Sequence, residues 1–180
     1  MKILIASDLH GSSYYVNLLM QRIREEEPAR VVFLGDLLYH GPRNDLPREY
    51  DTRKTAELLN SLTPSPLCVR GNCDGEVDQM MLAFPVLAEC ALLEANGKTA
   101  YLAHGHHLDA AVPLLKAGDI VFSGHTHVPD YNVDNNIIYV NPGSTSIPKG
   151  GSRYSYLVWE ENRLFWKDVG TGEVWREETL

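Results

Sequence analysis

The hydrophobic positions in the first half of the chain alternate between short apolar runs and segments with helical spacing. Predicted strands cover residues 2–7, 30–34 and 67–69, and predicted helices cover 12–26 and 52–62. Ser12 or Ser13 is a candidate N-cap for the first helix, and Pro64 and Pro66 follow the second. Strands that alternate with helices in this way are typical of a parallel sheet built from βα units.

The second half contains strand-like runs with little room for helices. Predicted strands cover 91–95, 99–103, 120–123, 137–140, 154–159 and 164–169, and one short helix is predicted over 108–115. The C-terminal third therefore has the pattern of an antiparallel meander. Together the two halves predict an α/β fold, a four-layer α/β/β/α sandwich in which two packed mixed sheets are flanked by helices. No internal repeat or linker-like break interrupts the chain, so we expect a single domain over 1–180.

The acidic character of the chain argues against a nucleic-acid partner. Its 180 residues carry 24 acidic and 16 basic side chains, which gives a formal net charge of −8, and no block of consecutive Lys or Arg is present. We therefore expect no binding of nucleic acid polymers. Bound divalent cations can reverse the sign of the charge inside a pocket, so small phosphate substrates are compatible with this composition.

The cysteines and the apolar segments indicate a cytoplasmic protein. Cys68, Cys73 and Cys90 are an odd number without CxxC spacing, which favours neither a disulfide framework nor a thiolate zinc site. The first apolar run reaches Asp8 without the longer apolar core and cleavage site of a signal peptide. No run approaches the length of a membrane span, and we expect no membrane partner.

Polar side chains with metal-binding chemistry follow five of the predicted strands, at the point where each strand ends. They are Asp8 and His10, Asp36, Asn72 and Asp74, His104 and His106, and His125 and His127. Ligands bind outside the carboxyl ends of strands in an α/β sheet, so we expect five loops to deliver these groups to one edge. Neighbouring glycines permit the tight turns that crowded ligands require. The D-x-H and H-x-H spacings suit alternate residues that leave a strand on the same side.

The mixture of carboxylate, imidazole and amide ligands favours a borderline divalent metal. Manganese, iron or zinc suits such a set better than calcium, which prefers oxygen ligands, or copper(I), which prefers sulfur. The candidate ligands are more than one tetrahedral ion needs: Asp8, His10, Asp36, Asn72, His104, His125 and His127. Seven ligands are sufficient to hold two ions that share one carboxylate.

The order of these motifs resembles the calcineurin-like metallophosphoesterase superfamily. The blocks that carry the resemblance are SDLHG at 7–11, GD at 35–36, GNCD at 71–74, HGHH at 104–107 and GHTH at 124–127. Within the superfamily, LGDLLYHGPRN, VRGNCDGEVDQM, SGHTH and NPGSTSIPKGG are most similar to the YfcE-like phosphodiesterase branch. The resemblance implies a binuclear-metal phosphodiesterase that hydrolyses a small phosphoester by in-line attack of a hydroxide shared by the two ions. It also implies that a homo-oligomer is plausible.

The same resemblance implies a role for each ligand. One ion would be held by Asp8, His10, Asp36 and His127, and the other by Asp36, Asn72, His104 and His125, with Asp36 bridging. Manganese is the first metal expected, with zinc, iron, nickel or magnesium as alternatives. The predicted catalytic set consists of Asn72, Cys73 and His106.

The chain departs from the superfamily at Cys73, where a histidine commonly follows the asparagine and is expected to protonate the leaving oxygen. A thiol with a pKa of about 8.5 is a weaker general acid near neutrality than an imidazole at about 6.5. The YfcE-like branch is similar to this chain in carrying cysteine here. Three alternatives stay open: His106 or water substitutes for the acid, the enzyme favours esters with good leaving groups, or hydrolysis is slow.

Several polar residues near the motifs have plainer interpretations. Asp74 is equally suited to cap a helix that starts near Gly75 and to orient a neighbouring ligand. Lys149 and Arg153 flank the glycines of IPKGG, but exposed loop cations usually bind nothing specific, so both stay outside the predicted catalytic set.

A binding scaffold is the competing function. The retromer subunit with this fold resembles the same branch and works mainly through protein contacts. A scaffold would be expected to tolerate the loss of metal ligands. None of the ligand positions is lost in this chain.

Overall fold

The computed structural model of the chain describes residues 1–108 and 115–180. Its elements, in chain order, are β1 (Lys2–Ala6), α1 (Ser13–Glu26), β2 (Arg30–Phe33), α2 (Thr52–Asn60), β3 (Leu67–Cys68), α3 (Glu76–Met81), β4 (Cys90–Ala95), β5 (Lys98–Ala103), β6 (Ile120–Phe122), β7 (Asp130–Asp134), β8 (Ile137–Asn141), β9 (Ser155–Glu160), β10 (Arg163–Asp168) and β11 (Val174–Thr179). Among the described residues, no helix is long and apolar enough to cross a membrane.

The strands form two mixed sheets. The first has the order β11-β10-β9-β1-β2-β3, with β1, β2 and β3 parallel and β9, β10 and β11 antiparallel. Antiparallel pairing of β9 with β1 joins the two halves of this sheet and places Trp159 opposite Ile3. The second sheet has the order β4-β5-β6-β8-β7, in which β5, β6 and β8 are parallel and the two edge strands are antiparallel.

The hydrophobic core forms two layers, one between the sheets and one under the helices. Successive residues of β1 point to opposite faces, so Ile5 enters the layer between the sheets whereas Leu4 and Ala6 pack beneath α1 and α2. Between the sheets, the rings of Phe122 and Trp159 lie 5.5 Å apart at their centroids. Full burial stabilises each such large side chain by roughly 1.5–3 kcal/mol. The parallel strands therefore end at well-fixed positions, from which the site loops depart.

The first helix begins as its sequence predicts. The Oγ atom of Ser12 accepts a hydrogen bond from the backbone N–H of Tyr15 at 3.3 Å, so Ser12 and not Ser13 is the N-cap. Val16 and Leu19 of α1 are fully buried and share a core cluster with Leu59 of α2. Both helices thereby cover the outer face of the first sheet.

Two mixed sheets flanked by helices confirm the predicted fold class. The βα pattern of the first half is also confirmed by the parallel pairing of β1, β2 and β3. The helix predicted over 108–115 falls mostly on residues 109–114, outside the described residues.

The prediction of one meander for the C-terminal third is wrong in part. Strands β9, β10 and β11 do form an antiparallel meander, but β8 pairs in parallel with β6 in the second sheet. Residues 137–140 form the predicted strand, yet its apolar pattern does not say which sheet it joins. The edge strands β7 and β11 were not predicted, because DYNVD and VWREET are mostly exposed or half-exposed and lack a buried apolar face.

Candidate metal centre

The loops after β1, β2, β5 and β6 bring buried carboxylates and imidazoles together where the carboxyl ends of the two sheets converge. The His10 Nε2 atom lies 3.7 Å from Asp8 Oδ1 and 3.7 Å from Asp36 Oδ2. His104 Nε2 lies 3.4 Å from Asp36 Oδ2, and His127 Nε2 lies 3.3 Å from Asp8 Oδ1. All five side chains are at most 3% exposed. Burial of charged and polar groups so close together costs free energy unless hydrogen bonds or opposite charges compensate for the lost hydration.

The ligand-bearing residues themselves adopt left-handed backbone angles. The φ values are 56° for Asp8, 45° for His10, 56° for Asp36, 68° for His125 and 61° for His127. Such angles cost a non-glycine residue about 1–3 kcal/mol and accumulate at functional sites. The D-x-H and H-x-H residues follow the ends of β1 and β6, as predicted, but tight left-handed turns, and not the alternation of an extended strand, direct their side chains to the centre.

Each buried carboxylate is anchored through one oxygen and presents the other to the centre. Asp8 Oδ2 accepts the backbone N–H of His125 at 3.0 Å, and Asp36 Oδ1 accepts that of Cys73 at 2.8 Å. Asp8 Oδ1 is buried without a hydrogen-bond partner among the described residues. Asp36 Oδ2 faces the imidazoles. The anchoring bonds fix where the two inward oxygens lie.

Three imidazoles are oriented by backbone carbonyl groups through their Nδ1 atoms. The pairs are His10 with Tyr39 O at 2.8 Å, His104 with Leu34 O at 2.7 Å, and His127 with Ile147 O at 2.6 Å. A carbonyl oxygen only accepts, so Nδ1 carries the proton in each ring. In the neutral ring the Nε2 atom then has a free lone pair, and this is the usual way in which a metal-binding histidine is oriented.

The inward-facing atoms are acceptors that need a cation between them. The Nε2 atoms of His10 and His127 lie 3.2 Å apart, and His104 Nε2 lies 3.1 Å from Asn72 Oδ1. Because Nδ1 carries the proton in all three neutral rings, their Nε2 atoms are acceptors, and neither contact is a hydrogen bond between neutral groups. A proton or a metal ion must supply positive charge at both places. Oxygen and imidazole donors fit borderline divalent metals.

The titration behaviour of the centre reflects the same excess of acceptors. Burial of His104 lowers its pKa, but the hydrogen bond that it donates to the Asp36 carboxylate and the negative charge of Asp8 outweigh burial and raise the pKa to about 9. Burial lowers the pKa of His125 and of His127. Without an ion, His104 therefore carries the positive charge that the carboxylates demand.

The predicted ligands group into two overlapping sets. Ligand atoms of Asp8, His10 and His127 lie within 4.8 Å of one another, as do those of Asp8, Asp36 and His104. Asn72 joins the second set through its contact with His104. His125 lies beside the same residue, with ring centroids 5.1 Å apart. The geometry thus brings all seven predicted ligands to one place.

The Asp74 carboxylate links two site loops through hydrogen bonds and does not cap α3. Its carboxylate is buried and accepts the backbone N–H groups of Asp36 and Gly71 at 2.7 Å and that of Leu37 at 2.9 Å. Helix α3 has Gly75 as its N-cap, whose N–H is held by Asp78. Of the two roles open from the sequence, Asp74 takes that of orienting a neighbouring ligand.

The Cys73 thiol lies beside the carboxylates at the edge of the centre. Its Sγ accepts from Asn72 Nδ2 at 3.2 Å and belongs to a group with His10 and Asp36 within 4.8 Å. Burial and the charge of Asp36 raise the pKa of the thiol above its ordinary value. In the absence of cations, Cys73 is therefore a still weaker acid than the sequence suggests.

His106 stands next to the centre without touching the carboxylates. Its ring lies 5.4 Å from the His104 ring and 6.1 Å from the His125 ring, centroid to centroid. Burial and the neighbouring imidazoles lower its pKa, and its Nδ1 has no hydrogen-bond partner among the described residues. The ring is thus neutral near neutrality.

A cavity of about 420 Å³ opens directly on the ligands. Its lining includes Asp36, Asn72, Cys73, His125 and His127, together with Gly41, Pro42, Arg43, Asn44, Thr126 and Lys149. Sequence reasoning missed Arg43 and set Lys149 aside. The available signal was the position of both cations in Gly- and Pro-rich loops beside the ligand motifs.

Fold and site together define a metallophosphoesterase. The profile of the Calcineurin-like phosphoesterase superfamily domain matches residues 1–163, and the chain belongs to this family. It is 42% identical over 165 residues to Phosphodiesterase YfcE of Escherichia coli strain K12, which covers 91% of this chain and 90% of the relative. It is 26% identical over 166 residues to the Probable metallophosphoesterase YsnB of Bacillus subtilis, covering 88% and 83%. The family implies divalent metal ions.

Solved structures agree with this assignment. The structure of Yfce, a phosphoesterase from E. coli, superposes with a TM-score of 0.93 at 37% identity and covers 99% of both chains. Vps29 from Chaetomium thermophilum superposes with a TM-score of 0.66 at 18% identity and covers 99% of this chain and 98% of its own. The second likeness shows only that the fold is shared.

Proposed function

We propose that the chain is a metal-dependent phosphodiesterase that holds two divalent ions between seven ligands. Asp8, His10, Asp36 and His127 would hold one ion, and Asp36, Asn72, His104 and His125 the other. The observation that carries the proposal is the convergence of buried acceptors, most clearly the 3.2 Å approach of the Nε2 atoms of His10 and His127, whose Nδ1 atoms both face backbone carbonyl groups. Membership of the family and the likeness to a relative named phosphodiesterase support the reaction class.

When bound by these residues, two ions would supply Lewis-acid stabilisation of the phosphoryl oxygens and would make water nucleophilic at neutral pH. The protein's own groups set up this chemistry. Backbone N–H groups fix the outer carboxylate oxygens of Asp8 and Asp36, and carbonyl groups fix the imidazoles. Because these groups are positioned before substrate arrives, the site needs little rearrangement during the reaction.

Proton delivery to the leaving group is the weak point of this site. Among the predicted catalytic residues, Asn72 contributes its amide to the centre, while the thiol of Cys73 has a raised pKa. Burial and the neighbouring imidazoles lower the pKa of His106, whose ring lies 5.4 Å from that of His104 and 6.1 Å from that of His125. We propose that the enzyme favours diesters whose leaving group departs without prior protonation, such as aryl diesters.

The remaining properties follow the family and the composition. We propose Mn²⁺ as the first metal, with Zn²⁺, Fe²⁺, Ni²⁺ or Mg²⁺ as alternatives, a small phosphoester as the substrate, and the cytoplasm as the location. A single domain over 1–180 and a homo-oligomer are proposed on the same basis. A scaffold without turnover is disfavoured because every ligand position is occupied by a residue that can bind a metal ion.

Hydrolysis of bis(4-nitrophenyl) phosphate in the presence of Mn²⁺ tests the proposal. The wild type should release 4-nitrophenolate, and Asp36→Asn should reduce kcat at least a hundredfold because the shared ligand loses its charge. Asp134→Asn is the matched control, since Asp134 is exposed on the edge strand β7. Equal inertness of wild type and Asp36→Asn, with metal bound to the wild type, would leave the scaffold as the function.

A further inference from the structure

Two unpaired cations line the cavity that opens on the metal centre. Arg43 lies near enough to His125, and Lys149 to His127, for their charges to act on those rings. Among residues 1–108 and 115–180, neither Arg43 nor Lys149 has a carboxylate oxygen within 4.0 Å. Both side chains are exposed at the cavity and so can contact a ligand. The phosphoryl group itself would lie at the metal ligands, which leaves these cations free for another anionic group.

A second cavity, of about 430 Å³, shares Cys73 with the first in its lining and has the opposite character. Its apolar and aromatic lining includes Tyr39, Tyr50, Val77 and Met81. The charged groups in its lining are all acidic: Asp74, Glu76 and Asp78. In the part of the chain that the structure describes, no basic side chain lines this cavity, so it disfavours an anion.

Cys73 lines both cavities, and Asp36 and Asn72 line the first beside it. A phosphodiester centred on the metal ligands therefore has one cavity for each ester arm. The proposed function favours aryl leaving groups, and the aromatic and apolar lining of the second cavity suits such an arm, which assigns this cavity to the leaving arm. The first cavity, with its two cations, then receives the arm that stays on phosphorus.

We propose that the physiological substrate is a phosphodiester whose retained arm carries a second anionic group, such as a carboxylate or a further phosphate, and whose leaving arm is uncharged and apolar or aromatic. This inference rests on the proposed phosphodiesterase function and deepens it. Arg43 and Lys149 act as specificity-determining residues by contacting the second anionic group. Water adds its oxygen to phosphorus, the P–O bond to the leaving arm breaks, and the products are the leaving alcohol and a phosphomonoester that keeps the anionic group.

Two synthetic diesters with the same leaving group test the inference. 4-Nitrophenyl 2-carboxyethyl phosphate and 4-nitrophenyl 2-carbamoylethyl phosphate have retained arms of nearly equal shape, and they differ in one negative charge. The wild type with Mn²⁺ should prefer the carboxylate by about tenfold in kcat/KM, which corresponds to about threefold for each partly exposed cation. The preference should shrink as salt is added, because the cations are solvent-accessible.

Neutral variants assign the preference to the two cations. Arg43→Gln or Lys149→Gln should each reduce the ratio of the two kcat/KM values to about threefold, and the double variant should bring it to about one. Arg53→Gln, at an exposed position on α2 outside both cavities, is the matched control and should keep the wild-type ratio. Because Arg43, Lys149 and Arg53 are exposed, thermal unfolding of all variants should match that of the wild type.

The outcomes separate the inference from the proposed function. Hydrolysis of both diesters at equal kcat/KM would overturn the inference and leave the phosphodiesterase function intact. A preference for the carboxylate that survives in the double variant would overturn the assignment to Arg43 and Lys149. Failure of the Mn²⁺-loaded wild type to hydrolyse either diester would overturn both proposals.

Discussion

Alanine at position 71 brings a methyl group against Asp36, the ligand proposed to be shared by both ions. A Cβ atom on Gly71 would lie 2.1 Å from Oδ1 and 2.3 Å from the backbone nitrogen of Asp36. The carboxylate oxygen can rotate away, but the backbone nitrogen cannot, so the two loops must separate. Their separation also breaks the 2.7 Å hydrogen bond from the Gly71 N–H to Asp74.

Two terms set the size of the effect on stability. Overpacking a tight contact costs about 1–3 kcal/mol. Loss of a buried hydrogen bond to a charged group costs about 1.5–3 kcal/mol. Because the loops can relax in part, we expect Gly71→Ala to lower the unfolding free energy by about 3 kcal/mol in total. In a chain of this size, that loss lowers Tm by roughly 6–12 °C. A typical unfolding free energy of about 5–15 kcal/mol leaves the variant folded. Displacement of Asp36 should weaken Mn²⁺ binding roughly 10- to 100-fold.

Gly75→Ala is the matched control in the same loop. The nearest atom to a Cβ on Gly75 is Asp78 Oδ2 at 3.8 Å, which is ordinary contact, and the residue has a φ of −141°. Its substitution at an N-cap should cost about 0.5–1 kcal/mol, well below the effect expected at Gly71. Urea unfolding of the metal-free proteins and calorimetric titration with Mn²⁺ compare the variants. Similar stability and affinity for Gly71→Ala and Gly75→Ala would refute the close packing of the two loops against Asp36.

Three further predictions concern protons and metal. Cys73→His should raise kcat/KM for a dialkyl phosphate about tenfold or more and for an aryl diester much less, since only the poor leaving group needs an acid; equal gains in the two kinetic assays would remove Cys73 from proton delivery. His104, with its pKa near 9, is protonated in the metal-free site, so Mn²⁺ affinity should rise up to tenfold per pH unit between about pH 6.5 and 8; pH-independent titrations would contradict this. Removal of Mn²⁺ held at 100 times its Kd should reduce the unfolding free energy by about 2.7 kcal/mol per independent site, whereas thermal melts unaffected by EDTA would argue against buried ions.

The convergence of the candidate ligands could be predicted because it depends on strand ends. Apolar runs in the sequence identify β1, β2, β3, β5 and β6, and the residues that follow each run are the ones that meet. The parallel arrangement of β1, β2 and β3 follows from their alternation with helices. Short apolar runs with distinct ends are sufficient for this part of the fold.

The backbone path between strand and ligand could not be predicted. Asp8 and Asp36 take left-handed angles that their residue types disfavour, and only the surrounding packing enforces them. The apolar pattern also could not predict which sheet β8 joins. Its parallel pairing with β6 depends on contacts between strands, which the pattern within one strand does not specify.

The positions of Asp74, Arg43 and Lys149 were equally hard to predict from the sequence, because each depends on how separate loops come together. Asp74 could cap a helix or orient a ligand, and only its three backbone hydrogen bonds identify its role. Arg43 and Lys149 are more than a hundred residues apart in the chain. Their presence in one cavity depends on how the loops fold over the centre.

Metal stoichiometry measured together with turnover tests whether the chain is a two-metal phosphodiesterase. Metal-free protein is titrated with Mn²⁺ while bound metal, by elemental analysis, and hydrolysis of bis(4-nitrophenyl) phosphate are followed in the same samples. Activity should reach its plateau at two ions per chain, and Asp36→Asn should neither bind two ions nor turn over substrate. A wild-type chain that binds two ions and remains inert, or that is fully active without bound metal, would contradict this prediction.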